Sequence, residues 1–175
     1  MIIGVPRETR PGETRVAATP DTVKKLAASG KHQIVVEEAA GVHASISDAD
    51  YQAAGGRTGG PADTFGADIV LKVRAPTEQE CPKLKRGAML IGLLNPYDDA
   101  TTQAIAATGV SGYSMERLPR ISRAQSMDVL SSQANIAGYK AVIIAATVAA
   151  LMSFGAGRPG MSAVVIRMST LLQRS

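Results

Sequence analysis

The segment Pro119–Tyr139, PRISRAQSMDVLSSQANIAGY, concentrates side chains able to grip and orient a polar ligand. Arg117, Arg120 and Arg123 supply guanidinium forks suited to phosphate or carboxylate. Gln125, Asp128, Ser131, Ser132 and Asn135 follow with amide, carboxylate and hydroxyl groups. A helix from Ala124 onward places these on a stripe away from an apolar seam of Met127, Leu130, Ala134, Ala137, Ala141 and Ile144, whose spacings are three and four. Loop guanidiniums and helix polar groups could then converge on one ligand. The plainer reading is a solvated helix face behind an ordinary basic loop.

A second charged stretch runs from Arg7 to Val16, with Arg7, Glu8, Arg10, Glu13 and Arg15 around Pro11-Gly12. It follows a short aliphatic run, Met1–Pro6, that reads as a buried first strand. Loops at strand carboxyl ends of α/β sheets are where ligands bind. Arg15 also suits a surface ion pair with Glu8 or Glu13. Lys72 lies in the apolar run DIVLKV with Arg74 and Pro76 behind it, so its ammonium reaches a strand end. A snorkelling lysine is the blander account.

Other chemistry is excluded by what is absent. Cys81 stands alone, which rules out an intrachain disulfide or a cysteine metal site, and a reducing compartment follows. Pro82 follows it with no evident base nearby, so it reads as a bystander. His32 and His43 lie far from any ligating cluster, and neither GxSxG nor HExxH occurs.

The elements that must position these residues alternate. Thr19-Pro20 opens a helix that ends at Gly30. Gln33–Glu37 is a second strand, and Ser47 with Asp50 caps a short helix through Ala54, stopped by Gly55-Gly56. Asp68–Val73 is a third strand, Thr77 and Glu80 resemble another capping box, and Met89–Leu94 is a fourth strand. Asp98 or Asp99 caps a helix to about Thr108, and Val110–Ser114 is a fifth strand leading into the Pro119 segment. This alternation predicts an α/β fold, a doubly wound parallel sheet of flavodoxin-like type in one domain with a long C-terminal helix.

Composition agrees. The 175 residues suffice for one good core. Apolar residues make up 45% of the chain but aromatics only 3%, with seven Met, so the core is built from aliphatic side chains and Ala. A net charge of +4 and a pI near 9.4 come from scattered Lys and Arg with no aromatic interleaving, which argues for general anion affinity and against nucleic acid. The first residues carry too short an apolar segment for a signal peptide, and their two Glu argue against a transit peptide, so the chain is expected in the cytoplasm. The run Ala141–Phe154 is shorter than the roughly 20 residues a bilayer requires. It reads as a buried helix.

MIIGVPRE at the start, ETRVAATP from Glu13, Leu71-Lys72-Val73, Ala75-Pro76 and, most densely, Pro119–Tyr139 together resemble the N-terminal domain of the proton-translocating NAD(P) transhydrogenase alpha subunit, in a family that includes alanine dehydrogenase. The resemblance implies a fold like the catalytic domain of formate and glycerate dehydrogenases. It implies a loop at Arg120, Ile121, Ser122, Gln125 and Asp128, with Ser131 beside it, that contacts the nicotinamide end of NAD. NADP would sit on a partner beta subunit, a membrane domain would carry protons, and the subunit would be a homodimer, peripheral to the inner membrane through its partners. For alanine dehydrogenases the resemblance implies that Arg15 and Lys72 hold a keto acid. Those enzymes carry a catalytic histidine after the fourth strand, where this chain has Asn95-Pro96-Tyr97, and asparagine cannot exchange a proton near neutral pH.

The family's NAD-binding Rossmann fold would begin after Met152. Gly155-Ala156-Gly157-Arg158-Pro159-Gly160 matches GxGxxG by letter, but it follows a helix, contains Pro159, and has no acid in Met161–Ser175 to hold a ribose. Residues 1–152 are therefore expected to form the N-terminal domain, and 153–175 an atypical, poorly ordered tail without the Rossmann domain. The expected function is the transhydrogenase N-terminal part, incomplete on its own and binding NAD weakly or not at all. The alternatives are an alanine dehydrogenase-like oxidoreductase, or a non-catalytic dimerisation module pairing through Ala134–Met152.

Overall fold

A computed structural model describes residues 1–119 and 121–155. The chain divides into two compact units, Met1–Ala124 and Gln125–Ser175. The first contains a six-stranded parallel sheet with strand order β3-β2-β1-β4-β5-β6. Its elements in chain order are β1 (Ile2–Val5), α1 (Pro20–Ala27), β2 (Gln33–Glu37), α2 (Asp48–Ala53), β3 (Arg57–Gly59), α3 (Pro61–Phe65), β4 (Ile69–Arg74), β5 (Met89–Leu93), α4 (Asp99–Ala107) and β6 (Ser111–Ser114). From β1 the chain winds outward to β3, returns to the other side of β1, and winds outward again to β6. The strand order reverses between β1 and β4, and such a switch point opens a crevice at the strand carboxyl ends.

Local chemistry explains most boundaries. Thr19 accepts a hydrogen bond from the Thr22 amide and Pro20 takes the first helical position of α1. Ser47 and Asp50 cap α2 reciprocally, as their spacing predicts. The inner strands of the sheet bury both faces, whereas β6 is largely exposed. Ile3, Val5, Ile34 and Val36 pack with Val23 and Tyr51 on the side of α1 and α2. Val70, Leu90 and Leu94 pack with Phe65 and Ile105 on the other. Tyr51 is fully buried and its hydroxyl donates to the Ala18 carbonyl at 2.9 Å. Beneath α3 the sheet needs glycine, since a Cβ on Gly4 would lie 2.0 Å from the Thr64 carbonyl oxygen.

Three expectations are corrected. The sheet has a sixth strand and α3 an extra turn of helix, both in the stretch after Gly56 that carries no periodic signal. Thr77 and Glu80 do not open a helix: only one turn of 3-10 helix follows, at Cys81–Lys83, and the Glu80 carboxylate is drawn toward Lys72. Residues Ser122–Met127 form 3-10 turns, so the helix starts at Val129 and not at Ala124.

In the second unit, α5 (Val129–Gly155) has 27 residues, a length of about 40 Å at 1.5 Å per residue. The Asp128 carboxylate caps it, accepting from the Ser131 amide at 3.1 Å and the Ser131 hydroxyl at 2.6 Å. Its apolar seam is not a core. Ala134, Ala137 and Ala141 are exposed, as are Ile136, Tyr139, Val142 and Ile143. Periodicity reports a surface that needs cover, and that surface is open here. No helix among the described residues is long and apolar enough to cross a membrane.

Candidate functional site

Three strand-end loops lie along this part of the sheet: residues 7–16 after β1, 75–77 after β4 and 94–98 after β5. The first two are tied by three consecutive residues. Glu8 accepts hydrogen bonds from the Val73 amide at 2.6 Å and the Arg74 amide at 3.4 Å. Thr9 donates its hydroxyl to Glu80 at 3.0 Å, and Arg10 Nε donates to the Ala75 carbonyl at 3.1 Å.

Lys72 lies at the centre. Its Nζ is 3.0 and 3.1 Å from the two Glu80 oxygens and 3.7 Å from Glu8, and it sits 5.7 Å from the Phe65 ring centroid. Its side chain is 1% exposed, so the snorkelling account fails: the ammonium is buried and held by carboxylates instead of reaching water. Glu80 is itself fixed by the Thr77 amide at 2.8 Å. Burial pushes the Glu8 carboxyl above the usual range, against the pull of Lys72 and of the Val73 and Arg74 amides. Burial acts upward on Glu80 too, but the Thr77 amide, Lys72 and Thr9 together outweigh it and hold Glu80 low.

Arg15 is met by Glu13. Its Nε and one terminal nitrogen each lie 2.7 Å from a different Glu13 oxygen, a two-point fork. That hydrogen bonding lowers the Glu13 carboxyl and raises Arg15. This is the ion pair that the charge pattern offered as one reading of the loop. The fork still leaves the Arg15 side chain 40% exposed at the mouth.

After β5, Asn95 adopts a left-handed backbone with φ of 51°, which Asn tolerates better than most residues. Glu116 builds this corner. Its carboxylate accepts from the Leu94 amide at 3.1 Å, the Asn95 amide at 3.0 Å and the Ser114 hydroxyl. Although burial acts upward, these donors keep Glu116 below the usual range. Tyr97 is exposed, and Asp98, which precedes α4, accepts from the Thr101 hydroxyl.

Of the residues expected at the nicotinamide, Arg120 lies outside the described residues, as does the side chain of Arg123. Ile121 and Ser122 are exposed. In the second unit Gln125 is exposed with its amide available, whereas Asp128 and Ser131 are engaged with each other at the α5 N-terminus. The letters GxGxxG beyond Gly155 also lie outside the described residues. Residue types alone did not single out Glu8, Glu80 or Glu116 as organisers. Glu80 offered a signal in its spacing from Thr77, but that signal suggested a helix cap.

A doubly wound sheet with charged loops at its switch point defines a class, and comparison with known proteins narrows it. The family described as "Alanine dehydrogenase/PNT, N-terminal domain" matches residues 4–137, and the chain belongs to it. It is 43% identical over 147 residues to the NAD(P) transhydrogenase subunit alpha of Haemophilus influenzae, covering 83% of this chain and 28% of that protein. It is 33% identical over 149 residues to the alanine dehydrogenase of Mycobacterium tuberculosis, covering 83% of this chain and 39% of that enzyme. The crystal structure of transhydrogenase from Sinorhizobium meliloti superposes with a TM-score of 0.79 at 46% identity, over 82% of this chain and 43% of that one. The chain thus spans less than half the length of these relatives.

Proposed function

We propose that residues 1–152 act as the N-terminal domain of an NAD(P) transhydrogenase alpha subunit, in an assembly that passes hydride between NAD(H) and NADP(H) and couples this to proton translocation. The observation that carries the reading is the greater likeness to transhydrogenases than to alanine dehydrogenases, joined by Asn95 at the end of β5. A nicotinamide ring itself donates or accepts the hydride, so no side-chain acid or base is required of this chain. Its part is to orient. The Gln125 amide suits a carboxamide partner, Arg120 suits a phosphate or carboxylate, and Asp128 with Ser131 fixes the start of α5. The segment is incomplete on its own: NADP belongs on a beta subunit, protons on a membrane domain, and the alpha subunit pairs with a second copy. Residues 153–175 are assigned no part in nucleotide binding, and the peripheral location follows from the partners.

The alanine dehydrogenase alternative would use Arg15 and Lys72 on a keto acid. The closure of Lys72 by Glu80 and Glu8 and the absence of an acid/base at Asn95 both favour the first reading. The test is calorimetric titration of the chain with NADH and NAD, beside Arg120→Ala and Gln125→Ala and an assay for pyruvate-dependent NADH oxidation. The expected result is weak nucleotide binding that both substitutions reduce further, or no binding at all, with no pyruvate turnover. Pyruvate turnover would reverse the ranking, and binding indifferent to both substitutions would move the nucleotide contact elsewhere.

A further inference from the structure

We propose that Glu8, Lys72 and Glu80 form a proton-operated latch that closes the loop after β1 over the carboxyl end of β4. The hydride-transfer reading does not use it, and the keto-acid reading would use Lys72 alone of the three. The geometry is one ammonium between two carboxylates, with all three side chains no more than 6% exposed. Lys72 favours Glu80, with contacts at 3.0 and 3.1 Å, and stands 3.7 Å from Glu8. Glu80 also has the Thr77 amide and the Thr9 hydroxyl, so it stays ionised and neutralises the lysine. Glu8 is then the carboxyl for which no full counter-charge is left. With a proton on Glu8 the buried cluster is neutral. Without it, a net negative charge is sealed from water, which is costly.

Among the described residues, the other charged groups around Glu8 have partners of their own. From the same loop Arg15 faces Glu8, but its fork is closed by Glu13. From β4 Arg74 faces Glu13, and from the loop after β5 Asp98 faces Arg10.

The linkage has a definite sign. Glu8 is raised in the closed state, so closure is fully supported below the ordinary glutamate pKa and weakens as pH rises through the raised value. Glu80 is lowered, so its support exists above the ordinary range and fails as pH falls. The latch holds best between the two. Because Glu8, Thr9 and Arg10 all bridge to the β4 side, releasing one strains the other two, and the charged mouth loosens as a unit.

The test is carboxyl-carbon NMR of the full chain with labelled glutamate, together with amide exchange at Val73 and Arg74, corrected for intrinsic rates. The expected result is one glutamate, absent from Glu8→Gln and Glu8→Asp spectra, that titrates above the ordinary range. The Val73 amide loses protection over the same interval, by up to about tenfold per pH unit for one proton. Glu8→Gln removes that pH dependence, and Lys72→Met moves the Glu8 midpoint upward. A Glu8 midpoint at or below the ordinary range, or protection with the same pH course in wild type and Glu8→Gln, overturns the proposal. Because the titration is read in the wild-type chain, a variant that fails to fold does not remove the test.

Discussion

At the scale of residues, Glu116 shows how a carboxylate can build a corner without joining in chemistry. It gathers the amides of Leu94 and Asn95 and the Ser114 hydroxyl, and so fixes where Asn95 turns. Glu116→Ala strands two backbone amides, so we expect a loss of about 1–3 kcal/mol in urea unfolding at neutral pH. The difference from wild type shrinks in acid: Glu116 is held low in the folded chain, and its contribution disappears as pH falls through that lowered value. An unchanged difference at low pH would mean that the side chain acts through packing alone. That Asn95 cannot exchange a proton near neutral pH was legible from sequence because residue type decides proton chemistry. Glu116 was not, since a glutamate in a turn looks like any solvated charge until the strand ends are brought to it. Lys72 was misjudged for the related reason that its counter-charges lie 64 and 8 positions away, and only the former needs the fold to arrive.

At the scale of elements, the signals that worked were local. A hydroxyl before proline marked α1, and Ser47 with Asp50 marked α2, because caps are made within four residues. The three residues of β3 are too few to show alternation, and only pairing with β2 defines them. The likewise short α3 depends on what lies beneath it. Gly4 permits α3 to approach the sheet, and Gly4→Ala, with its Cβ 2.0 Å from the Thr64 oxygen, should cost at least about 1–3 kcal/mol, read as a lowered melting temperature. Alanine tolerated at this position without loss would show that α3 can shift at little cost.

For the whole molecule, alternation of strands and helices foretold a parallel doubly wound sheet, and the handedness of crossovers restricts how such a chain can wind. The long helix was foretold too, but it was expected to be buried and is instead exposed. Exposed Ile136, Tyr139, Val142 and Ile143 give α5 an apolar surface, with Lys140 its sole charged residue, and an isolated helix of this kind is poorly stable in water. We expect light scattering to show concentration-dependent self-association, and Val142→Lys to abolish it while leaving the melting temperature of the dilute chain within a few degrees. A strictly monomeric wild-type chain at high concentration would exclude pairing through α5.

The position of β1 in the sheet has a consequence for synthesis. Of the six strands, the earliest made is a central one, paired on one side with β2 and on the other, at Ile3–Ile69 and Gly4–Val70, with a strand made far later. Until residue 70 has cleared the exit tunnel, Ile3–Val5 keeps one edge unpaired, and the nascent chain presents an aliphatic strand to whatever lies nearby. Slow translation between Glu37 and Ile69 would therefore lengthen the interval in which the growing polypeptide depends on a chaperone.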